Sequence, residues 1–386
     1  VSALDLDAVR ADFPAFDTIY LDSAATCRRP WPVIHAVGAA MARGPGSAHG
    51  THGSSYRAIE ARERARARIA SALGSRPEEI VFVRGATEGL NLVAQGIAIG
   101  RGDRIVISAL EHHANVLPWR RLAARSGAEL VVSSVEQIRG AIDRRTRLVA
   151  VTHASNVLGD LVDVAAIARA AHAVGARIVV DGAQAVGHRR VDLSAIDCDA
   201  YAFSGHKVYG PCGIGVLALR RGFADELAPL LLGGQAVVEV GETDHVLREG
   251  TARFEAGTPP HEGVIGLAAA FEWLEGLGRE AIERHEVALV EQAHRRLGAI
   301  PGVRIVSARP ASLVSFVLDG VHAHDVATIL DAHGIEVRAG RMCAEPLLDR
   351  LGLDAVVRAS FAAHTTAREI EGLAEAVDAA RGLRAA

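Results

Sequence analysis

Short apolar runs alternate with stretches of helical period from residue 80 to 219. Strands are expected at 80–83, 104–108, 129–133, 148–152, 177–181, 200–203 and 213–219. Helices are expected at 90–99, 115–126 and 163–175, between several of those strands. Strands that alternate with helices predict a mostly parallel sheet with helices on both faces. Upstream, a strand-like Ile19-Tyr20-Leu21 precedes a helix over 31–43 and an amphipathic helix over 55–73 whose Arg and Glu residues form a solvated face. The glycine-rich loop 44–53 between those helices carries His49 and His52, and it matches neither a P-loop nor G-x-G-x-x-G. Downstream, 233–242 suggests an extended hairpin, and 262–298 is helical with breaks at glycines. Strands then return at 303–306, 312–318, 335–338 and 356–360, with helices at 324–333 and from 366. The pattern divides the chain into an N-terminal arm (1–20), a large α/β domain (21–260) and a smaller C-terminal α/β domain (261–386) against which the arm can pack.

Composition narrows the function classes. The 386 residues are 49% apolar and 23% charged, an ordinary globular mix with room for about two domains. A net charge of -4 leaves no basic footprint for nucleic acid or anionic membrane. No apolar run is long enough to span a bilayer, and the acidic first residues do not read as a signal peptide. Cys27, Cys198, Cys212 and Cys343 are scattered without a C-x-x-C pair, which argues against a zinc ribbon or disulfide scaffold and points to a reducing, cytoplasmic setting. The 17 histidines contain no H-E-x-x-H, and no metal site is expected.

The chemistry gathers at strand ends. Ile178-Val179-Val180 stops on Asp181, and Tyr201-Ala202-Phe203 stops on Ser204-Gly205-His206-Lys207. Two strands of one sheet then deliver an acid and an amine to one edge, where ligands bind in open α/β sheets. Singly, such an Asp is a turn residue or cap, and a Lys is solvated. Together they are the minimum equipment of a pyridoxal phosphate (PLP) site: an acid for the pyridinium nitrogen and a Schiff-base lysine. Gln184 stands three residues past Asp181, and Ser204 and His206 flank Lys207 as polar groups that could hold a phosphate. At Arg84-Gly85-Ala86-Thr87 a strand turns into a helix whose first N–H groups attract anions, with Thr87 either a plain N-cap or an added hydroxyl. Glu111–Asn115 and Thr152–Asn156 bring further polar side chains to the same edge if these strands are parallel.

Four motifs carry a family resemblance. They are Glu-His-His-Ala-Asn-Val-Leu-Pro-Trp at 111–119, Asp-Gly-Ala-Gln-Ala-Val at 181–186, Phe-Ser-Gly-His-Lys-Val-Tyr-Gly-Pro-Cys-Gly-Ile-Gly at 203–215 and Arg-Phe-Glu-Ala-Gly-Thr-Pro at 253–259. In this order the chain resembles the class V branch of fold-type I PLP enzymes, and within it the group II cysteine desulfurases, also called selenocysteine lyases. The resemblance implies that Lys207 holds the cofactor and moves the α-proton, Asp181 pairs with the ring nitrogen and Gln184 bonds the ring oxygen. His112 would stack on the ring and serve in proton transfer, and Thr87, Ser204 and His206 would hold the phosphate. Thr258 would reach the phosphate of a neighbouring subunit, which implies a homodimer. Asn156 would lie beside the substrate, Arg358 would pair with its carboxylate, and Arg338 and His49 would belong to the same pocket.

Cys343 decides the reaction. Alone it reads as a small buried hydrophobe. Arg341 and a following helix N-terminus would instead favour its thiolate, and the family carries its sulfur-accepting cysteine at this place. The implied reaction takes L-cysteine, or L-selenocysteine, to L-alanine and leaves sulfur on Cys343 as a persulfide for an acceptor protein or thiol, as in iron–sulfur assembly. Arg341-Met342, Gly50-Thr51 and His364-Thr365 differ from the usual pattern and bear on substrate and acceptor. The competing readings are a C–S lyase that leaves pyruvate, an aminotransferase or epimerase of the same fold, and a sulfur-carrier scaffold without turnover.

Overall fold

The computed structural model describes residues 4–43, 50–307 and 312–382. A seven-stranded sheet runs, in spatial order, Ile80–Val83, Gly215–Leu219, Ala200–Ser204, Arg177–Asp181, Thr146–Thr152, Arg104–Ser108 and Glu129–Ser133. Only Gly215–Leu219 is antiparallel to its neighbours. Its strands read as unbroken apolar runs because both faces are covered. Ile178, Val180, Tyr201, Phe203, Val149 and Val151 face one core, while Val179, Ala200, Ala202, Leu148 and Ala150 face the other. Helices Gly53–Ala72, Val164–His172 and His261–Leu277 pack on the first face, and Ala86–Gly96 and Leu117–Ser126 on the second. The expected α/β architecture of a mostly parallel, helix-flanked sheet is the one found.

The long helical stretch breaks at Gly278, whose φ is 84°. Helix His261–Leu277 buries Val264, Leu267, Phe271 and Leu274 in the large core. Helix Arg279–Gly298 instead packs with Ala323–Ala332 and Ala367–Arg381 around the smaller sheet, ordered Val303–Ile305, Leu313–Leu318, Val356–Ser360, Arg338–Gly340. The stretch expected as one strand over 335–338 is two. Ile335–Glu336 pairs in parallel with Ile19–Tyr20, and Arg338–Gly340 pairs with Val356–Ser360. The N-terminal segment is thereby laced to the small body. The hairpin falls later than expected, at Val237–Val240 and His245–Leu247, where Val238, Val240 and Val246 are exposed.

His364 sits where the N-terminal segment meets the end of the small sheet. It is 1% exposed, its ring lies 4.9 Å from Phe13 and 5.1 Å from Phe16, and both ring nitrogens lack partners. Burial, with Arg10 and Arg28 nearby, pushes its pKa down to about 3. The unfolded chain takes up a proton near pH 6.5 that the fold refuses, so this residue costs stability as pH falls below that value. A His364→Phe protein should therefore gain on the parent between pH 6.5 and 4, by up to about 1.4 kcal/mol per pH unit. Urea midpoints of the two proteins at pH 7.5 and 4.5 measure this; an unchanged gap between them would refute it.

Candidate active site

The carboxyl ends of the parallel strands and one edge of the small sheet enclose a cavity of about 230 Å³. In register, Thr152 stands beside Asp181, and Asp181 beside Ala202, so the acid and the residues after Phe203 come to one edge. Thr87, His112, Asn156, Asp181, Gln184, Ser204, His206, Lys207, Arg338, Cys343 and Arg358 all line this cavity. Thr258 does not; it is exposed outside the lining. His49 lies outside the described residues. A larger cleft of about 530 Å³ near Arg66 and Arg248 is lined by surface charges without a lysine, cysteine or histidine.

Lys207 is the single lysine of this sequence. Burial lowers its pKa and raises that of Asp181, while their mutual attraction opposes both shifts. Asp181 is 4% exposed and accepts the Ala183 N–H at 3.0 Å. The turn after Asp181 rests on the Lys207 main chain: a Cβ on Gly187 would lie 2.4 Å from the Lys207 carbonyl oxygen. Gln184 donates Nε2 to the Ala24 carbonyl at 2.8 Å, which leaves its buried Oε1 without a partner.

Ser204 Oγ accepts the Ala86 N–H at 2.9 Å, joining the Lys207 strand to the start of helix Ala86–Gly96. The N-cap of that helix is Gly85, not Thr87, which stands two positions further in. His112 caps the next turn, with Nδ1 accepting the Ala114 N–H at 3.0 Å. Burial and the neighbouring Lys207 push its pKa down to about 4, so it is neutral near pH 7 and carries its proton on Nε2. His206 is likewise pushed down to about 4 by burial and Lys207.

Several contacts around the cavity were not anticipated from sequence. Asp22 Oδ1 pairs with Arg358 Nη2 at 2.9 Å, and Arg358 Nη1 donates to the Asn156 carbonyl at 3.0 Å. Arg358 Nε remains buried and unpartnered. Arg338 stands directly opposite Arg358 in the strand pair. Glu111, buried behind His112, accepts from Ser108 Oγ, from the Thr152 N–H at 2.8 Å and from Asn115 Nδ2 at 2.6 Å. Burial outweighs those donors and pushes its pKa up to about 8. The position of Glu111 immediately before His112, with Asn115 four residues on, was the signal available for it.

Arg341 does not serve Cys343 as expected. Its guanidinium pairs with Asp349 and donates to the Asp354 carbonyl at 3.2 Å. Met342 is buried, and Asn156 Nδ2 donates to its carbonyl at 2.8 Å. Of the other cysteines, Cys27 and Cys198 are buried, with thiols pushed up to about 12 by burial. Cys212 is exposed, with Arg29 Nη2 2.9 Å from its sulfur.

Comparison with known proteins adds to this geometry. The family model described as aminotransferase class-V matches residues 19–373. A probable cysteine desulfurase of Vibrio cholerae is 40% identical over 395 residues, covering 97% of this chain and 98% of the relative. A cysteine desulfurase of Shigella flexneri is 42% identical over 395 residues, covering 95% and 96%. The crystal structure of the Escherichia coli cysteine desulfurase CsdA superposes with a TM-score of 0.93 at 37% identity, covering 99% of this chain and 100% of that one.

Proposed function

The chain belongs to the aminotransferase class-V family, and from that premise we propose that it is a PLP-dependent cysteine desulfurase that converts L-cysteine to L-alanine and takes the sulfur on Cys343. The observation that carries the reading is one cavity lined by a buried acid, a lysine that it attracts, two arginines and a cysteine. The residues present fit the cofactor. Gln184 offers a buried oxygen that lacks a donor. A Cβ on Gly85 would come within 2.9 Å of Ser204 Oγ, so glycine lets the start of this helix, whose N–H groups suit a phosphate, approach the strand end that carries Lys207.

When bound, the cofactor supplies an electron sink that makes the substrate Cα proton removable and the Cβ–S bond weak. In this reading Lys207 holds the cofactor and moves the proton, Asp181 answers the positive ring nitrogen, and Gln184 meets the ring oxygen. His112, neutral with its proton on Nε2, would cover the ring and supply that proton. Thr87, Ser204 and His206 hold the phosphate. Arg358, steadied by Asp22 and the Asn156 carbonyl, takes the substrate carboxylate with Arg338 beside it. The Cys343 thiolate attacks the substrate sulfur, and the Cβ–S electron pair stays with carbon, which takes up a proton. The sum is L-cysteine plus Cys343–SH giving L-alanine plus Cys343–S–SH.

The same reading makes the protein a homodimer, with the exposed Thr258 reaching a neighbouring copy's phosphate site. It also makes it a cytoplasmic donor of sulfur to an acceptor protein, with iron–sulfur assembly as the destination. No described helix is long and apolar enough to cross a membrane. Mass spectrometry of the holoenzyme after L-cysteine tests the function. Alanine with one added sulfur on the Cys343 peptide is expected, whereas pyruvate with an unmodified peptide would make the protein a β-eliminating lyase.

A further inference from the structure

The turn that presents Cys343 is one the chain does not adopt freely. Met342 and Cys343 have φ of 55° and 54°, a left-handed conformation that costs energy for any residue with a side chain. Contacts from the large body hold it there. Asn156 Nδ2 grips the Met342 carbonyl, and the His113 N–H donates to the Cys343 carbonyl at 2.8 Å. Two residues on, the Glu345 carboxylate pairs with the imidazole of His113. His113 therefore meets this loop twice, by a main-chain hydrogen bond and by an ion-pair contact of its side chain, and its neighbour His112 lines the cavity.

We propose that His113 and Glu345 are positioning residues for sulfur transfer, a clasp that fixes the Cys343 thiol relative to His112 and Lys207. The inference rests on the desulfurase reading. The pair is partly exposed, at 31% and 41%, so it contributes little to fold stability. Its effect belongs in the rate, because a displacement of about 1 Å in a reacting group can cost about a hundredfold.

Glu345→Ala and Glu345→Gln holoenzymes test the clasp, since glutamine keeps the side chain's length and an oxygen beside the His113 ring. Glu345→Ala should lower kcat for alanine formation roughly five- to tenfold, with KM for L-cysteine and the cofactor absorbance unchanged. Glu345→Gln should return to within about twofold of the parent. Without substrate, the rate of Cys343 alkylation by iodoacetamide should shift in the alanine variant and not in the glutamine variant. Parental kcat and labelling in Glu345→Ala would overturn the proposal, and so would equal losses in both variants with a lowered melting temperature. If the parent protein itself forms no persulfide, the desulfurase reading fails, and the labelling rates alone still decide whether the clasp holds the thiol.

Discussion

A Lys207→Ala holoenzyme should lack the visible absorbance of a lysine-bound cofactor and lose turnover by about 10⁴-fold or more. The size of the effect follows from two facts. Asp181 is buried and Lys207 half-buried, and desolvation favours the neutral amine that a carbonyl group needs as its attacker. And the sequence holds no second lysine, so no other ε-amine can take over the attachment. Borohydride reduction of the parent protein should fix the cofactor on the peptide that contains residue 207. A retained visible band in the variant, or a reduced cofactor on any other peptide, would show that the attachment has been assigned to the wrong group.

The reach of sequence reasoning here follows burial. Strands such as Arg177–Asp181 and Ala200–Ser204 were legible because a parallel strand covered on both faces must be an unbroken apolar run. Their ends were legible for the same reason: a polar residue closing such a run has to sit at the sheet edge, which put Asp181 and Lys207 together. The Val237–Val240 hairpin was misplaced because its apolar residues are exposed and no core dictates their period.

What stayed hidden depends on contacts between distant parts of the chain. Asp22 meets Arg358 across 336 positions, and neither residue's local pattern announces the other. Arg341 looked like a cation for the neighbouring thiol, yet Asp349, on the short helix that follows, claims it. Proximity in sequence gave the right loop and the wrong partner, because a long side chain chooses among all acceptors within its reach. Met342 shows the opposite case. Its apolar side chain, packed with Val157, Leu347 and Leu348, anchors the loop from inside, a role that only the three-dimensional arrangement assigns.

Replacing Cys343 with alanine should leave the cofactor bound and spectrally unchanged while persulfide formation ceases and alanine release falls by about a hundredfold. The other cysteines are poor substitutes. Cys27 lies nearest the lysine, donating its thiol to the Lys207 carbonyl at 3.2 Å, but burial pushes its pKa up to about 12 and keeps it protonated. A protonated thiol is not the nucleophile that sulfur transfer requires. Cys198 is pushed to the same range by burial, and Cys212 lies outside the cavity lining. Sulfide release at the parental rate by the Cys343→Ala protein would mean that the carbon–sulfur bond breaks without a protein nucleophile. Lys207 and Asp181 would keep their roles, and the reaction would be an elimination, with pyruvate in place of alanine as the product to measure.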